Sequence, residues 1–330
     1  MKSNSNIRQR TFYSNRDIKK AEYRNVIIFQ HSPEDLEPIQ ITKTKDGKEK
    51  LTAPAKQILN DKKSRLYFDL LVKGNFDESD YFISLTYSDK FLPETEADAE
   101  KIIKKYIREL RKAAKAQGVK TLKYIYVTET GRGRIHHHML LKNCLPRDLI
   151  ENLWSRQVRP FCSERERLGW ANAKRIQIAS ATLKGKSPDY MVRISRYMTK
   201  ETRKGQGRKR WKQSTGLILP GTSKADNVCS KKQFEQISLF NSSSFEASHN
   251  ELIKFVKKYH RNFVVTDIKR EYNSYTGNFY ISMQLMSKKK WARVMALYDE
   301  AALKEFEAAG NDITLAIPGY KEKGIQGVLW

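Results

Sequence analysis

Two histidines one residue apart, His136 and His138, sit in the stretch Arg134-Ile135-His136-His137-His138-Met139-Leu140-Leu141. The segment is apolar and reads as a β-strand, along which side chains alternate faces. His136 and His138 therefore point the same way, with Cβ atoms roughly 6–7 Å apart. Two imidazoles at that separation can converge on one metal ion. His137 points to the opposite face with Ile135, Met139 and Leu141. A third ligand is needed, and Glu129 ends the preceding strand just across a Gly-rich hairpin. Its carboxylate either joins the same face or pairs with Arg132 or Arg134. A His/His/Glu set with open positions suits Mg²⁺ or Mn²⁺ engaged with a phosphate, and imidazole ligands favour Mn²⁺. Ligand type alone also admits zinc.

A second reactive pair lies further on. Tyr197 and Lys200 are three residues apart, hence on one face of a helix. Tyr190 and Arg193 fall on the same stripe. Alone, Tyr-x-x-Lys is a weak signal that occurs by chance in many helices. Two basic loops flank these elements. Arg132 and Arg134 lie beside the histidines. The run Arg203 to Lys212 follows the tyrosine helix and carries Arg203, Lys204, Arg208, Lys209 and Arg210, with Trp211 placed to stack on an unpaired base.

The elements that must position these residues can be read from periodicity. Tyr81 to Tyr87 is rich in aromatic and β-branched residues and reads as a strand. Glu94 to Gln117 is an amphipathic helix with Ile102, Ile103, Tyr106, Ile107 and Leu110 on one stripe. Leu122 to Glu129 is a strand, Thr130 to Arg134 a hairpin loop, and Ile135 to Leu141 the histidine strand. Pro146 to Arg156 reads as a helix and Ala173 to Ile178 as a strand. Ser187-Pro188 opens a helix through about Glu201. The order β-α-β-β-α-β matches the split-βαβ, ferredoxin-like motif, an α+β fold whose antiparallel sheet carries both helices on one face. The other face is left free for a ligand or substrate, and helices and β-hairpins elsewhere are additions to this core. Outside it, Asn25 to Gln30 reads as a strand, 31–50 as a loop, and Thr52-Pro54 as the start of a helix to about Val72. Lys231 to Phe240 reads as a helix, Phe263 to Ile268 and Phe279 to Leu285 as strands, and Ser287 to Ala309 as a helix.

Composition narrows the partner. The 330 residues include 63 Lys plus Arg against 37 Asp plus Glu, a formal charge of +26. That excess points first to nucleic acid and second to an anionic membrane surface. No apolar run approaches the ~20 residues needed to cross a bilayer, and Met1 to Asn25 lacks the apolar core of a secretory signal. The three cysteines, Cys144, Cys162 and Cys229, are odd in number and widely spaced. They give neither a disulfide framework nor a zinc ribbon, and a reducing cytoplasm is the natural setting. No GxxxxGK[ST] occurs; Gly185-Lys186-Ser187 has Ser180 where the first glycine belongs, so no nucleotide-hydrolysing motor is expected.

Taken together, the motifs resemble the HUH endonucleases, in particular the rolling-circle replication initiators of plasmids, single-stranded DNA phages and integrative elements. The two histidines of that family's strand motif correspond to His136 and His138, although the residue between them is usually apolar and here is His137. Its tyrosine motif reads Arg196-Tyr197-Met198-Thr199-Lys200, and its F-x-x-L-T-Y strand reads Phe82-Ile83-Ser84-Leu85-Thr86-Tyr87. The Glu-x-Gly hairpin of some phage-type initiators resembles Glu129-Thr130-Gly131. The resemblance covers about residues 80–220. It implies a metal-dependent, site-specific nickase and joiner of single-stranded origin DNA. In it Tyr197 is the nucleophile and Lys200 its supporting cation, while His136, His138 and Glu129 hold Mn²⁺ or Mg²⁺. Arg132, Arg134, Arg193, Arg203, Lys204, Arg208, Lys209, Arg210 and Trp211 then contact DNA. A host helicase and DNA polymerase in the bacterial cytoplasm are the implied partners, and an oligomer is compatible with the pattern. The corresponding organisation is a flexible basic arm over 1–24, an endonuclease domain over 25–220 with its core at 80–202, and a C-terminal α/β accessory region over 221–330. Two rival readings remain open: a non-enzymatic basic nucleic-acid-binding protein, and a relaxase or single-tyrosine transposase using the same motifs. In the commonest relaxases the tyrosine precedes the histidines; here it follows them, which favours replication.

Overall fold

The computed structural model describes residues 6–31, 54–130, 134–159, 162–176, 190–200, 210–238, 245–273 and 278–296. The expected segments 31–50 (beyond His31), Ser187-Pro188 and the later turns of the 287–309 helix lie outside them, as does most of the hairpin loop and of the 203–212 loop. The chain divides into two compact units, one of residues 75–178 and 191–217, the other of residues 1–74, 179–190 and 218–330.

The second of these units is built on a five-stranded antiparallel sheet. Its strands are β1 (Asn6–Tyr13), β2 (Tyr23–His31), β10 (Gly221–Asp226), β11 (Phe263–Asn273) and β12 (Asn278–Ser287), in the order β10-β1-β2-β12-β11. Helices α1 (Pro54–Lys73), α5 (Lys231–Ser238), α6 (Phe245–Tyr259) and α7 (Lys288–Met295) complete it. Its core joins Ile7, Val26 and Ile28 of the sheet to Phe234, Ile237, Leu252 and Phe255 of α5 and α6.

The sequence reads residues 1–24 as a loose basic arm, whereas Asn6–Tyr13 is a strand paired on both edges. Its alternation is masked by charge. Ile7, Thr11 and Tyr13 turn inward, while Arg8 and Arg10 occupy the other face, and Arg8 meets Asp226 at 2.6 Å. That pairing also moves the expected boundary, because residues 1–74 join 218–330 rather than the histidine region. Helix α6 has no counterpart among the elements expected from periodicity.

The first unit carries the histidines. Its strands are β3 (Tyr81–Leu85), β4 (Tyr124–Glu129), β5 (His136–Leu141), β8 (Ala171–Arg175) and β9 (Lys212–Gln213), in the order β8-β3-β5-β4-β9. All pairings are antiparallel. The first four strands have the ferredoxin-like arrangement, and β9 extends one edge. Between β3 and β4 runs α2 (Glu96–Ala116), whose first turn is capped by the Thr95 hydroxyl accepting from the Asp98 backbone N–H at 3.2 Å. Its stripe of Ala99, Ile103, Tyr106, Ile107, Leu110 and Ala114 is buried against Tyr81, Ile83, Leu85, Met139 and Leu141. Each large apolar side chain so buried contributes about 1.5–3 kcal/mol.

After β5, α3 (Arg147–Asn152) is shorter than the expected helix. Residues from Ser155 leave it to form a hairpin of β6 (Ser155–Gln157) with β7 (Arg165–Arg167). Trp154 ends α3 fully buried, its indole N–H donating to the Thr86 carbonyl at 2.8 Å. The last helix, α4 (Tyr190–Met198), departs from expectation in placement. The sequence leaves the second sheet face open, but α4 brings Tyr197 against it, edge-on to Phe82 at 6.0 Å between ring centroids.

Candidate metal centre and tyrosine site

Strand alternation and register assemble the site. His136 and His138 share one face of β5 with ring centroids 5.1 Å apart. Register pairs Glu129 with His136 directly across the β4–β5 ladder. Cross-strand neighbours of this kind lie close enough for side chains to meet. Glu129 Oε2 is 3.2 Å from His136 Nε2, and Oε1 is 3.5 Å from His138 Nε2. One ligand atom from each of the three residues lies within 4.8 Å of the others, so this buried group could hold a metal ion.

The hydrogen bonds behind the imidazoles set their lone pairs. His136 Nδ1 lies 3.0 Å from the Arg134 carbonyl, which can only accept, so the proton sits on Nδ1. Nε2 of the neutral ring then turns a lone pair toward the Glu129 carboxylate. Two acceptors facing each other require a positive charge between them: a proton or a cation. His138 Nδ1 is held by the Ser84 hydroxyl at 3.2 Å. Backing of this kind fixes ligand orientation in metal sites. Glu129 Oε1 is buried and accepts no hydrogen bond, and an unpaired buried carboxylate oxygen is costly unless a cation meets it. The donor set therefore fits a divalent metal.

Electrostatics point the same way. Burial pushes the Glu129 carboxyl up, but the hydrogen bonds from His136 and Lys200 and the charge of His138 outweigh it and hold the group at about 2. Glu129 is thus an anion at neutral pH. The hydrogen bond to Glu129 raises His136. Burial lowers His138 to about 4, which keeps it neutral and able to ligate.

His137 has a different task. It is fully buried on the core face, with Nε2 2.7 Å from the Tyr87 hydroxyl and Nδ1 2.9 Å from the Thr128 hydroxyl. Burial lowers it to about 3. The family position usually holds an apolar residue, and a neutral, doubly bonded imidazole fills the same volume without an unpaired polar atom.

Tyr197 stands at the edge of this cluster. Its hydroxyl is 3.3 Å from His138 Nε2, and its ring meets the His138 ring edge-on at 4.9 Å. The side chain is nevertheless exposed, at 44%. Lys200 Nζ lies 4.1 Å from the Tyr197 ring centroid and 2.8 Å from Glu129 Oε2. Burial works against the Lys200 charge, but Glu129 and Tyr197 raise its pKa, so it remains an ammonium. The sequence anticipates a cation beside the phenol; the structure adds that the same cation neutralises the candidate metal ligand.

Of the basic residues expected at DNA, Arg134 is occupied otherwise. Its guanidinium bonds Asp89 at 2.6 Å and the Tyr87 carbonyl at 2.9 Å, bracing the hairpin stem. Neither geometry pairs it with Glu129. Arg193 is half-buried on α4, and Arg210 is half-buried ahead of β9. Trp211 is also half-buried, its indole N–H donating to Gln213 at 3.0 Å. Arg132, Arg203, Lys204, Arg208 and Lys209 lie outside the described residues, as does the Tyr190 side chain.

Three contributors escape a reading of the sequence. Phe82 stacks on His138 with centroids 5.4 Å apart and planes 18° from parallel. Ser84 orients that same imidazole, and Tyr87 anchors His137. All three belong to the Phe82–Tyr87 motif, whose alternation contains the signal: Phe82 and Ser84 share the imidazole face and Tyr87 the core face.

Residues 80–202, a little over a third of the chain, match the ORF2-type family of replication-associated proteins. No curated protein and no solved structure gives a significant match. The family match ties this segment to DNA replication, in keeping with a rolling-circle initiator. Among the described residues, no helix is long and apolar enough to cross a membrane.

Proposed function

We propose that the protein cuts one DNA strand at a specific site and later reseals it, through a 5′-phosphotyrosine at Tyr197, to start rolling-circle replication. The observation that carries this reading is the approach of the Tyr197 hydroxyl to 3.3 Å from His138 Nε2, on the edge of a Glu/His/His cluster.

The chemistry follows from the residues. A phenol of pKa ~10 yields its anion at neutral pH at a cost of roughly 4 kcal/mol. The Lys200 ammonium, held over the ring, lowers that cost by favouring the anion. Tyr197 Oη attacks the scissile phosphorus in line, the P–O3′ bond breaks, and the departing oxygen takes up a proton to leave a free 3′-OH. That 3′-OH primes synthesis by a polymerase. Because the tyrosyl ester conserves the phosphodiester bond energy, attack by a 3′-OH reverses the linkage without ATP.

Glu129, His136 and His138 would hold the divalent ion, with Mn²⁺ favoured by the two imidazoles. Bound there, it supplies Lewis-acid polarisation of the phosphate and charge neutralisation. Phe82 keeps His138 from rotating, and Ser84 fixes its tautomer. The origin strand, a host helicase and a host polymerase complete the system.

The test is incubation with end-labelled single-stranded origin DNA and Mn²⁺, followed by a denaturing gel. A slow-migrating protein–DNA adduct that EDTA prevents supports the reading. Binding that weakens with salt, without any adduct or metal requirement, favours a non-enzymatic DNA-binding protein.

A further inference from the structure

The most exposed large apolar side chain among the described residues is Trp170, at 62%. Its backbone is tightly held. The Trp170 carbonyl accepts from the Thr86 N–H at 2.9 Å and from the Thr86 hydroxyl at 3.2 Å. The Leu168 carbonyl accepts from the Ser88 N–H at 2.9 Å. Between them, Gly169 lies so close to β3 that a Cβ there would stand 2.4 Å from the Thr86 carbonyl oxygen. The chain is thus pressed against the end of β3, and the indole is left in water.

Register tells which way it faces. In β8 the side chain of Ala171 packs in the core with α2 and α3, so its neighbours Trp170 and Asn172 turn to the other face. In β3, Tyr81, Ile83, Leu85 and Tyr87 are buried while Phe82, Ser84 and Thr86 turn away. The ladders pair Asn172 with Ser84 and Ser84 with His138. One step further along the same strands, Trp170 stands beside Thr86 and Thr86 beside His136. Trp170 is therefore two strands from His136 on the imidazole face, roughly 10 Å away. Lys174, exposed and paired with Phe82, stands on the same face four residues on.

Resting on the strand-cleavage reading above, we propose that Trp170 is a stacking platform for an unpaired base of the nucleotide flanking the scissile phosphate, with Lys174 facing the backbone of that strand. An indole held by its backbone loses little freedom on binding, and every base offers it a π-face. The chain's charge of +26 supplies the complementary attraction for a polyanion. A single strand fits this site, because a base within a duplex has both faces covered.

The experiment uses the full chain carrying Tyr197→Phe, so that no cleavage perturbs equilibrium, and a labelled short single-stranded oligonucleotide. Adding Trp170→Ala should weaken binding roughly 5- to 150-fold, the equivalent of the 1–3 kcal/mol measured per stacked base. Trp170→Phe should keep most of the affinity but remove a large part of the DNA-induced quenching of tryptophan fluorescence. An abasic residue scanned along the oligonucleotide should weaken binding at one position in the Tyr197→Phe parent and at none in Trp170→Ala. Equal affinity for parent and Trp170→Ala, or undiminished quenching in Trp170→Phe, overturns the assignment. Those outcomes would leave strand cleavage untouched. Conversely, no adduct from the protein with Tyr197 intact, alongside a clear Trp170 effect, would overturn cleavage and spare the platform.

Discussion

Lys200 Nζ lies 2.8 Å from Glu129 Oε2, a bridge between the helix of the candidate nucleophile and the strand of a candidate metal ligand. One ammonium thereby touches both halves of the centre, since it also sits over the Tyr197 ring. Lys200→Met should slow adduct formation and loosen the placement of Glu129. We expect a tenfold or greater loss of cleavage rate, about 1.4 kcal/mol or more in the barrier, with binding of the single strand reduced far less. Single-turnover cleavage beside anisotropy measurements checks this; parallel losses in both would assign Lys200 to DNA binding alone.

Metal affinity should follow the hydrogen-bond hierarchy. Ser84→Ala removes the partner of His138 Nδ1 and should weaken Mn²⁺ binding roughly 10–100-fold, the usual effect of losing an outer partner. Glu129→Gln should weaken it further, because it removes the anion itself. Titration calorimetry with Mn²⁺ reads both. A Ser84→Ala variant weaker than Glu129→Gln would contradict the ligand assignment.

The core side of the histidine strand makes a stability prediction. Tyr87→Phe leaves the buried His137 Nε2 without its 2.7 Å partner. The expected destabilisation is about 1–3 kcal/mol, the cost of orphaning a buried polar group. Urea unfolding measures it, and an unchanged midpoint would mean that His137 is satisfied by Thr128 alone.

Much of this is legible in the sequence. The alternation of Tyr81 to Tyr87 and of His136 to Leu141 is unmixed, because one face is uniformly apolar, and so these strands and their facing follow from pattern alone. The order of elements then fixes the ferredoxin-like arrangement. Strand Asn6–Tyr13 is hidden because Arg8 and Arg10 give its outer face the look of a solvated tail. Ser84, 54 residues from His138 in sequence, is joined to it only by the register of two strands, which periodicity does not encode. The bridge from Lys200 to Glu129 depends on where α4 lies against the sheet. The sequence marks both residues as important but not as partners.

In the other unit, His260 should make stability depend on pH. Burial and the adjacent Arg24 charge lower it to about 4 from an ordinary value near 6.5. The unfolded chain therefore takes up a proton before the folded one does. Stability is full above pH 6.5 and falls as the pH drops toward 4, by ~3 kcal/mol at most from this group. Urea unfolding at steps between those values should show the decline, and His260→Gln should flatten part of it. An unchanged slope in that variant would assign the decline to other groups, with buried His137 the next to test.

The central claim is that Tyr197 becomes the covalent attachment point. The direct measurement is proteolysis of the protein–DNA adduct followed by mass spectrometry of the nucleotide-bearing peptide. The account predicts a phosphodiester-derived mass on Tyr197, at the 5′ side of the cut, and no adduct in Tyr197→Phe. Attachment to any other residue, or a cut with both DNA ends free of protein, would contradict it.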